Sequence, residues 1–158
     1  VTQPNHGRYT NDAVRFRNIS VFVGGVSPTI LMLETTLASD ITDSATSLTL
    51  TDSTAFPSTG YIVVQPGAND NETIKYTANN TGTGVLSGLT RGSSAPTYNL
   101  APLATTASAH SSGDKIIGSY LITKVDNNSY TFTLVTAATK TDEGGGFPTF
   151  AGPVNSRA

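Results

Sequence analysis

The sequence predicts an all-β fold, and three of its features carry that prediction. The first is the stretch Gly118–Ala138, GSYLITKVDNNSYTFTLVTAA, in which two β-rich runs, 120–125 and 129–136, flank Asp126-Asn127-Asn128. Asp and Asn tolerate left-handed backbone and bond to their own main chain, so they favour turns. Tyr130, Phe132 and Leu134 alternate with Thr131 and Thr133, the period-two pattern of a strand with one buried face. The second feature is negative: no 3.6-residue apolar period persists for about ten residues, so no substantial helix is expected. The third is that the remaining chain consists of short alternating runs punctuated by Gly, Pro, Asn and Asp. A lone hairpin is marginal in water, so the 118–138 hairpin needs further strands to cover its apolar face.

Composition narrows the class of protein. Charged residues make up 13% of the 158 positions, against roughly 25% in typical chains, and Thr, Ser, Asn and Gly take their place. Such a surface stays in solution through hydroxyls and amides. The net charge of −2 supplies no electrostatic footprint for nucleic acid or for an anionic membrane, and neither is expected as a partner. The chain has no cysteine, which excludes disulfides and thiolate metal sites. Its longest apolar run, Thr29–Leu33, is far too short to span a bilayer. No signal peptide is visible, and a start at Val1 without Met is expected of a processed chain or a piece of a longer one.

In chain order, Asn5-His6-Gly7 and Asn11-Asp12 are turn signals. Val14 and Phe16 share one strand face, while Ala13, Arg15 and Arg17 share the other, predicted to be a solvated or edge surface. After Glu34 the chain becomes Thr-rich. Leu48 and Leu50 mark one face of a short strand, and Phe56-Pro57 with Gly60 makes a turn into the apolar strand Tyr61–Val64. Residues 72–77 (ETIKYT) set Ile74 against Thr73 and Lys75 on the opposite side. Asn79-Asn80-Thr81-Gly82 is a hairpin turn leading into 84–89, and Thr90-Arg91-Gly92 closes that unit. Residues 93–109 read as a long loop, before Lys115–Ile117 returns to the hairpin.

Two nested resemblances emerge from these pieces. HGRYTNDAVRFRNIS, Gly24-Gly25, the 118–138 stretch and Gly144–Gly146 together resemble a small β-barrel module common in bacteriophage virion proteins. That module is similar to the first-catalytic-cysteine-half domain of ubiquitin-activating enzymes. The resemblance implies a fold and no catalysis. In this chain Asn11-Asp12 stands where Gly-Asp is usual, and a connection that is normally short carries residues 34–117. The inserted residues in turn resemble a β module of phage tail, neck and fibre proteins, through TTLASDITDSATSLTLTDSTAFPSTGYIVV, ETIKYT, LSGLTRG and ASAHSSGDKI. Glu72, Ile74, Tyr76, Arg91-Gly92 and Ala109-His110 fall on its pattern, while the connection from Gly92 to Ala107 is longer than usual. The expected architecture is therefore a small β-barrel or sandwich module (1–33 plus 118–158) with a second β module (34–117) inserted in one loop.

No catalytic constellation is legible. Glu72 and Arg91 suit an ion pair that fixes loops. His110 with Asp114 is at most half of a metal site or dyad, since zinc needs three or four ligands and catalysis a positioned nucleophile. His6 is read as a turn histidine with no acidic neighbour. Asp70, Glu72 and Asp126 lack the twelve-residue calcium-loop pattern. The N-x-Ser/Thr triplets at Asn18, Asn71, Asn79 and Asn127 are expected by chance in so Asn- and Thr-rich a chain. No enzyme activity, cofactor or metal is therefore expected. What the resemblances imply is a virion structural protein whose partners are other copies of itself and other virion proteins. The alternative is a surface-recognition module for a host-surface glycan, with Tyr98 as the candidate platform. In the tail, Gly144–Gly146 and two prolines exclude an interior strand or helix, and Phe147, Phe150 and Val154 are the candidate residues of an inter-subunit arm.

Overall fold

The computed structural model describes residues 1–17, 26–65, 71–93, 105–137 and 147–150, with backbone only at 17, 29 and 147–150. Among the described residues eleven strands and one short helix follow in order: β1 Ala13–Arg17, α1 Pro28–Met32, β2 Glu34–Thr36, β3 Ser47–Thr49, β4 Gly60–Gln65, β5 Glu72–Tyr76, β6 Ala78–Asn80, β7 Val85–Ser87, β8 Lys115–Gly118, β9 Tyr120–Lys124, β10 Tyr130–Phe132 and β11 Phe147–Phe150. The chain is all-β, as predicted, and every strand pairing is antiparallel. Three sheets result, ordered β10-β9-β1-β11, β2-β8-β4-β5 and β3-β7-β6. None of these orders closes into a barrel among the described residues. The apolar run 29–33 becomes the single-turn helix, which ends on Leu33 in the left-handed region at φ 50°.

The first sheet is built from both ends of the chain. The predicted hairpin forms, with Tyr130 opposite Lys124 and Phe132 opposite Ile122, but its second strand spans only Tyr130–Phe132 of the expected 129–136. Burial follows the predicted face: Tyr130 is buried, Phe132 and Leu134 are partly so, and Thr131 and Thr133 are exposed. Phe132, on the face expected to be buried, is partly so and packs against the core, its ring 4.8 Å from Phe16 and 4.7 Å from Tyr120. The amino terminus adds a contact the sequence did not announce. Val1 and Tyr130 exchange backbone hydrogen bonds, and the Gln3 N–H donates to Asn128 O at 2.7 Å.

One prediction about this sheet is corrected. The Arg15 face of β1 was expected to be solvated, yet Arg15 is buried and Ala13 has no exposure at all. The cause is topology: β1 is an interior strand between β9 and β11, and Tyr61 of β4 packs against Ala13. Thr73 shares with Lys75 the side opposite Ile74, yet it is fully buried while Lys75 is exposed, and Ser93 and Thr105 hydrogen-bond to its backbone.

The strands of 34–117 form the other two sheets, except that β8 runs one residue further, to Gly118. In β4, Ile62, Val63 and Val64 are all buried, as expected of an apolar strand covered on both faces. The predicted hairpin forms as β6–β7, but its turn runs through 81–84, two residues later than the Asn79–Gly82 signal, because Asn79 and Asn80 belong to β6. Although the strands sort into two groups, the core is continuous. Val14, Phe16, Tyr120 and Ile122 from the chain ends pack in the same apolar cluster as Ile62, Ile74, Leu86 and Ile116. At the crossing point, a Cβ built on Gly118 would lie 2.7 Å from Phe56 Cε1 and 2.9 Å from Leu33 Cβ, so glycine is what lets the groups meet.

Candidate functional site

The most concentrated polar chemistry lies at the start of β5. Glu72, Ile74 and Tyr76 share one strand face by period-two alternation, and that face is the core. Glu72 is consequently a carboxylate with no solvent exposure. An isolated buried charge is prohibitively costly, so it must be paired and hydrogen-bonded. Arg91 supplies a bidentate fork, with Nε donating to Oε1 and Nη2 to Oε2, both at 2.8 Å. The Gly92 N–H donates to Oε1 at 2.8 Å and the Ser108 N–H to Oε2 at 3.1 Å. His110 Nε2 lies 2.7 Å from Oε2 and, facing a carboxylate, carries the proton and donates it.

The local sequence explains how these donors converge. Thr90-Arg91-Gly92 follows β7, and Gly92 adopts φ 59°, a conformation that any side chain would strain. A Cβ there would also lie 2.6 Å from Thr105 O, so glycine permits the returning chain to pass close by. His110 is set by a backbone bridge to Ile41, each donating to the other's carbonyl at 2.9 and 3.0 Å. Arg91 also donates through Nη1 to Thr42 O and through Nη2 to Ser108 O. One carboxylate thus ties together β5, both ends of the 92–108 connection and the segment leading to Thr42.

Burial pushes the pKa of Glu72 up, but the hydrogen bonds from Arg91, Gly92, His110 and Ser108 more than offset this. The net shift holds the group below the usual glutamate range. Five donors meet a group with about four lone-pair sites, which leaves Glu72 no free lone pair with which to abstract a proton. The arrangement is a clamp. The sequence had paired His110 with Asp114; the fold instead brings its ring to Glu72 and leaves Nδ1 3.8 Å from Asp114 Oδ2, beyond hydrogen-bond range. Asp114 accepts the Ser111 N–H at 3.0 Å and fixes its own turn. Sequence reading missed the parts played by Gly92 and Ser108, which donate through backbone. The only local signal was glycine after arginine.

The other singled-out residues are also engaged structurally. His6 Nδ1 accepts the Arg8 N–H at 2.9 Å, so its proton sits on Nε2, 3.0 Å from Asp126 O. Asn5 and Gly7 beside it adopt φ 51° and 58°, the turn that was expected. Asp126 accepts the Asn128 N–H and caps the hairpin turn. Among the described residues no group of three or more His, Cys, Asp or Glu is placed to hold a metal ion. Asp70, Tyr98 and Val154 lie outside the described residues. Of the candidate arm, the backbone of Phe147–Phe150 forms β11 on the β1 edge of its own sheet, with Pro148 opposite Phe16. That is an edge position, where proline's missing donor is tolerated.

No protein-family model matches the chain, and no curated protein matches it significantly.

Proposed function

We propose that the chain is a structural protein of a tailed-phage-like virion. It acts by assembling with other copies of itself and with other virion proteins, and it catalyses no reaction. The observation that carries this reading is the placement of apolar surface. The exposed large hydrophobics among the described residues are Val1, Tyr9, Leu121, Val125 and Val135. All of them belong to 1–33 and 118–158, and none to 34–117. It is on those two end segments of the chain, rather than on the intervening residues, that this reading places the contacts with other subunits. The saturated Glu72 clamp is in keeping with a scaffold, since its polar groups are spent on fixing loops. The motifs of 34–117 that resemble phage β modules point the same way.

The test is assembly. The full chain, examined by light scattering and negative-stain electron microscopy over a range of concentrations, should form defined oligomers or larger arrays. Truncation after Glu143 should leave β circular dichroism intact while reducing assembly. A full chain that stays monomeric throughout and binds host-surface glycan instead would replace this reading with the surface-recognition alternative.

A further inference from the structure

The Glu72 clamp uses only one nitrogen of His110. The ring is fully buried, and Nε2 donates to Glu72 Oε2 at 2.7 Å. Nδ1 is buried too, and it has no hydrogen-bond partner among the described residues. Asp114 Oδ2 stands 3.8 Å from it. A neutral ring turns a lone pair toward that carboxylate, and the two repel; an imidazolium turns an N–H toward it. A charge-assisted bond of about 2.8 Å needs Asp114 to approach by about 1 Å. Its side chain is 17% exposed and is held by the Ser111 N–H of its own turn, so it is the member of the pair that can move. A carboxylate has about four lone-pair sites, enough for both donors.

The charges around the ring come from several elements. Glu72 at the start of β5 and Arg91 in the turn after β7 lie beyond Nε2, and Asp114 lies beyond Nδ1. Asp40 and Asp43 flank the Ile41 bridge; both are exposed, and Asp40 accepts the Ser112 N–H at 2.8 Å. Lys115 and Glu34 pair with each other at 3.1 Å near the surface. The two carboxylates closest to the ring face a single guanidinium, so a second proton on His110 balances the group. Burial opposes that second charge, and Glu72 and Asp114 favour it.

We propose that His110 is a proton-operated latch between the Glu72 clamp and the 111–114 turn. When Nδ1 takes up a proton from solvent, Asp114 Oδ2 closes onto it, and the ring then joins two carboxylates. The turn already holds Ala38 O and Asp40 through Ser112, so closure links the 38–41 segment to the clamp as well. When the proton leaves, turn and clamp are separate units. Histidine exchanges its proton between about pH 5 and 8, which makes this a device for mildly acidic surroundings. It does not depend on the assembly reading.

The test is nuclear magnetic resonance on the isotope-labelled full chain, titrated from about pH 8 to 5. Nε2 should keep its proton throughout while Nδ1 gains one, and the Ser111 amide and Asp114 carboxyl signals should shift with the same midpoint. Asp114→Asn keeps an oxygen for the Ser111 N–H but removes the charge. It should move the ring's midpoint down by about one pH unit and leave the Ser111 amide indifferent to it. His110→Gln, which keeps an N–H for Glu72, should abolish the Ser111 shift; should that variant not fold, Asp114→Asn still decides. The latch is overturned if Nδ1 gains no proton in this range, or if the ring titrates at the same pH with and without the Asp114 charge.

Discussion

At the scale of single residues, Glu72 dominates. Removing one partner of a buried, hydrogen-bonded charge pair typically costs about 3–5 kcal/mol, because the remaining charge stays buried without compensation. Glu72→Gln should therefore destabilise the chain by about that amount in urea titrations at neutral pH. The pH dependence has a definite sign. A carboxyl held below its ordinary value of 4.5 contributes stability that is complete above that pH and is lost as pH falls through the folded-state value. Stability should thus be level from pH 7 to about 5 and fall in more acidic solution, and Glu72→Gln should flatten that fall. An unchanged acid slope in the variant would assign the loss to other carboxyls. The Glu72–Arg91 pair was legible because one charge starts a strand and its opposite sits in a turn, and charges beside turns commonly fix loops. The His110 contact was not, since Asp114 is close in sequence while Glu72 approaches only through tertiary folding.

At the scale of elements, the alternation of Tyr130, Thr131 and Phe132 sets clear contrasts. A fully buried Phe truncated to Ala costs about 3–5 kcal/mol. Phe132→Ala, at a half-covered strand end, should cost about 2 kcal/mol, and Thr131→Ala less than about 0.5 kcal/mol. Thermal melts of the two variants check the register, and a reversed order would mean that the strand faces the other way. Gly118 carries a different constraint, because its Cα sits against Phe56 and Leu33. Gly118→Ala should cost about 1–3 kcal/mol as overpacking, measurable in the same melts. Strand faces such as Leu48 with Leu50 were legible from period-two alternation alone. What covers a second face was not: Arg15 and Thr73 look solvent-facing in sequence, and only the neighbours brought by sheet order bury them.

At the scale of the whole molecule, the grouping of strands and the continuity of the core pull in different directions. Residues 1–33 and 118–158 hold the strands of one sheet, while Ser119 donates through both its N–H and its hydroxyl to Tyr61 O in β4. A chain in which a short Gly/Ser linker replaces residues 35–116 should keep a β circular dichroism signal. It should melt well below the full chain, because Ala13, Phe16 and Tyr120 lose packing neighbours. Complete loss of the β signal would show that the two groups cannot fold apart. The change in composition after Glu34 suggested the division of the chain, whereas no local pattern encodes a core shared between distant segments.

The clamp on Glu72 also bears on how such a chain can diversify. One carboxylate grips the chain at Gly92 and again at Ser108, and Ser93 and Thr105 are tied to Thr73. Both ends of the connection are thus fixed independently of what lies between Ser93 and Thr105. Lengthening a loop whose ends are already fixed costs only about 0.6 kcal/mol per doubling. The stretch between Ser93 and Thr105 is therefore where new sequence can be accepted at least risk to the rest of the protein, by lineages accumulating change or by an experimenter placing an epitope. A ten-residue tag inserted there should leave the melting temperature within a few degrees of the parent. The same tag placed in the 81–84 turn, where Gly84 packs against Leu50 O, should lower it sharply.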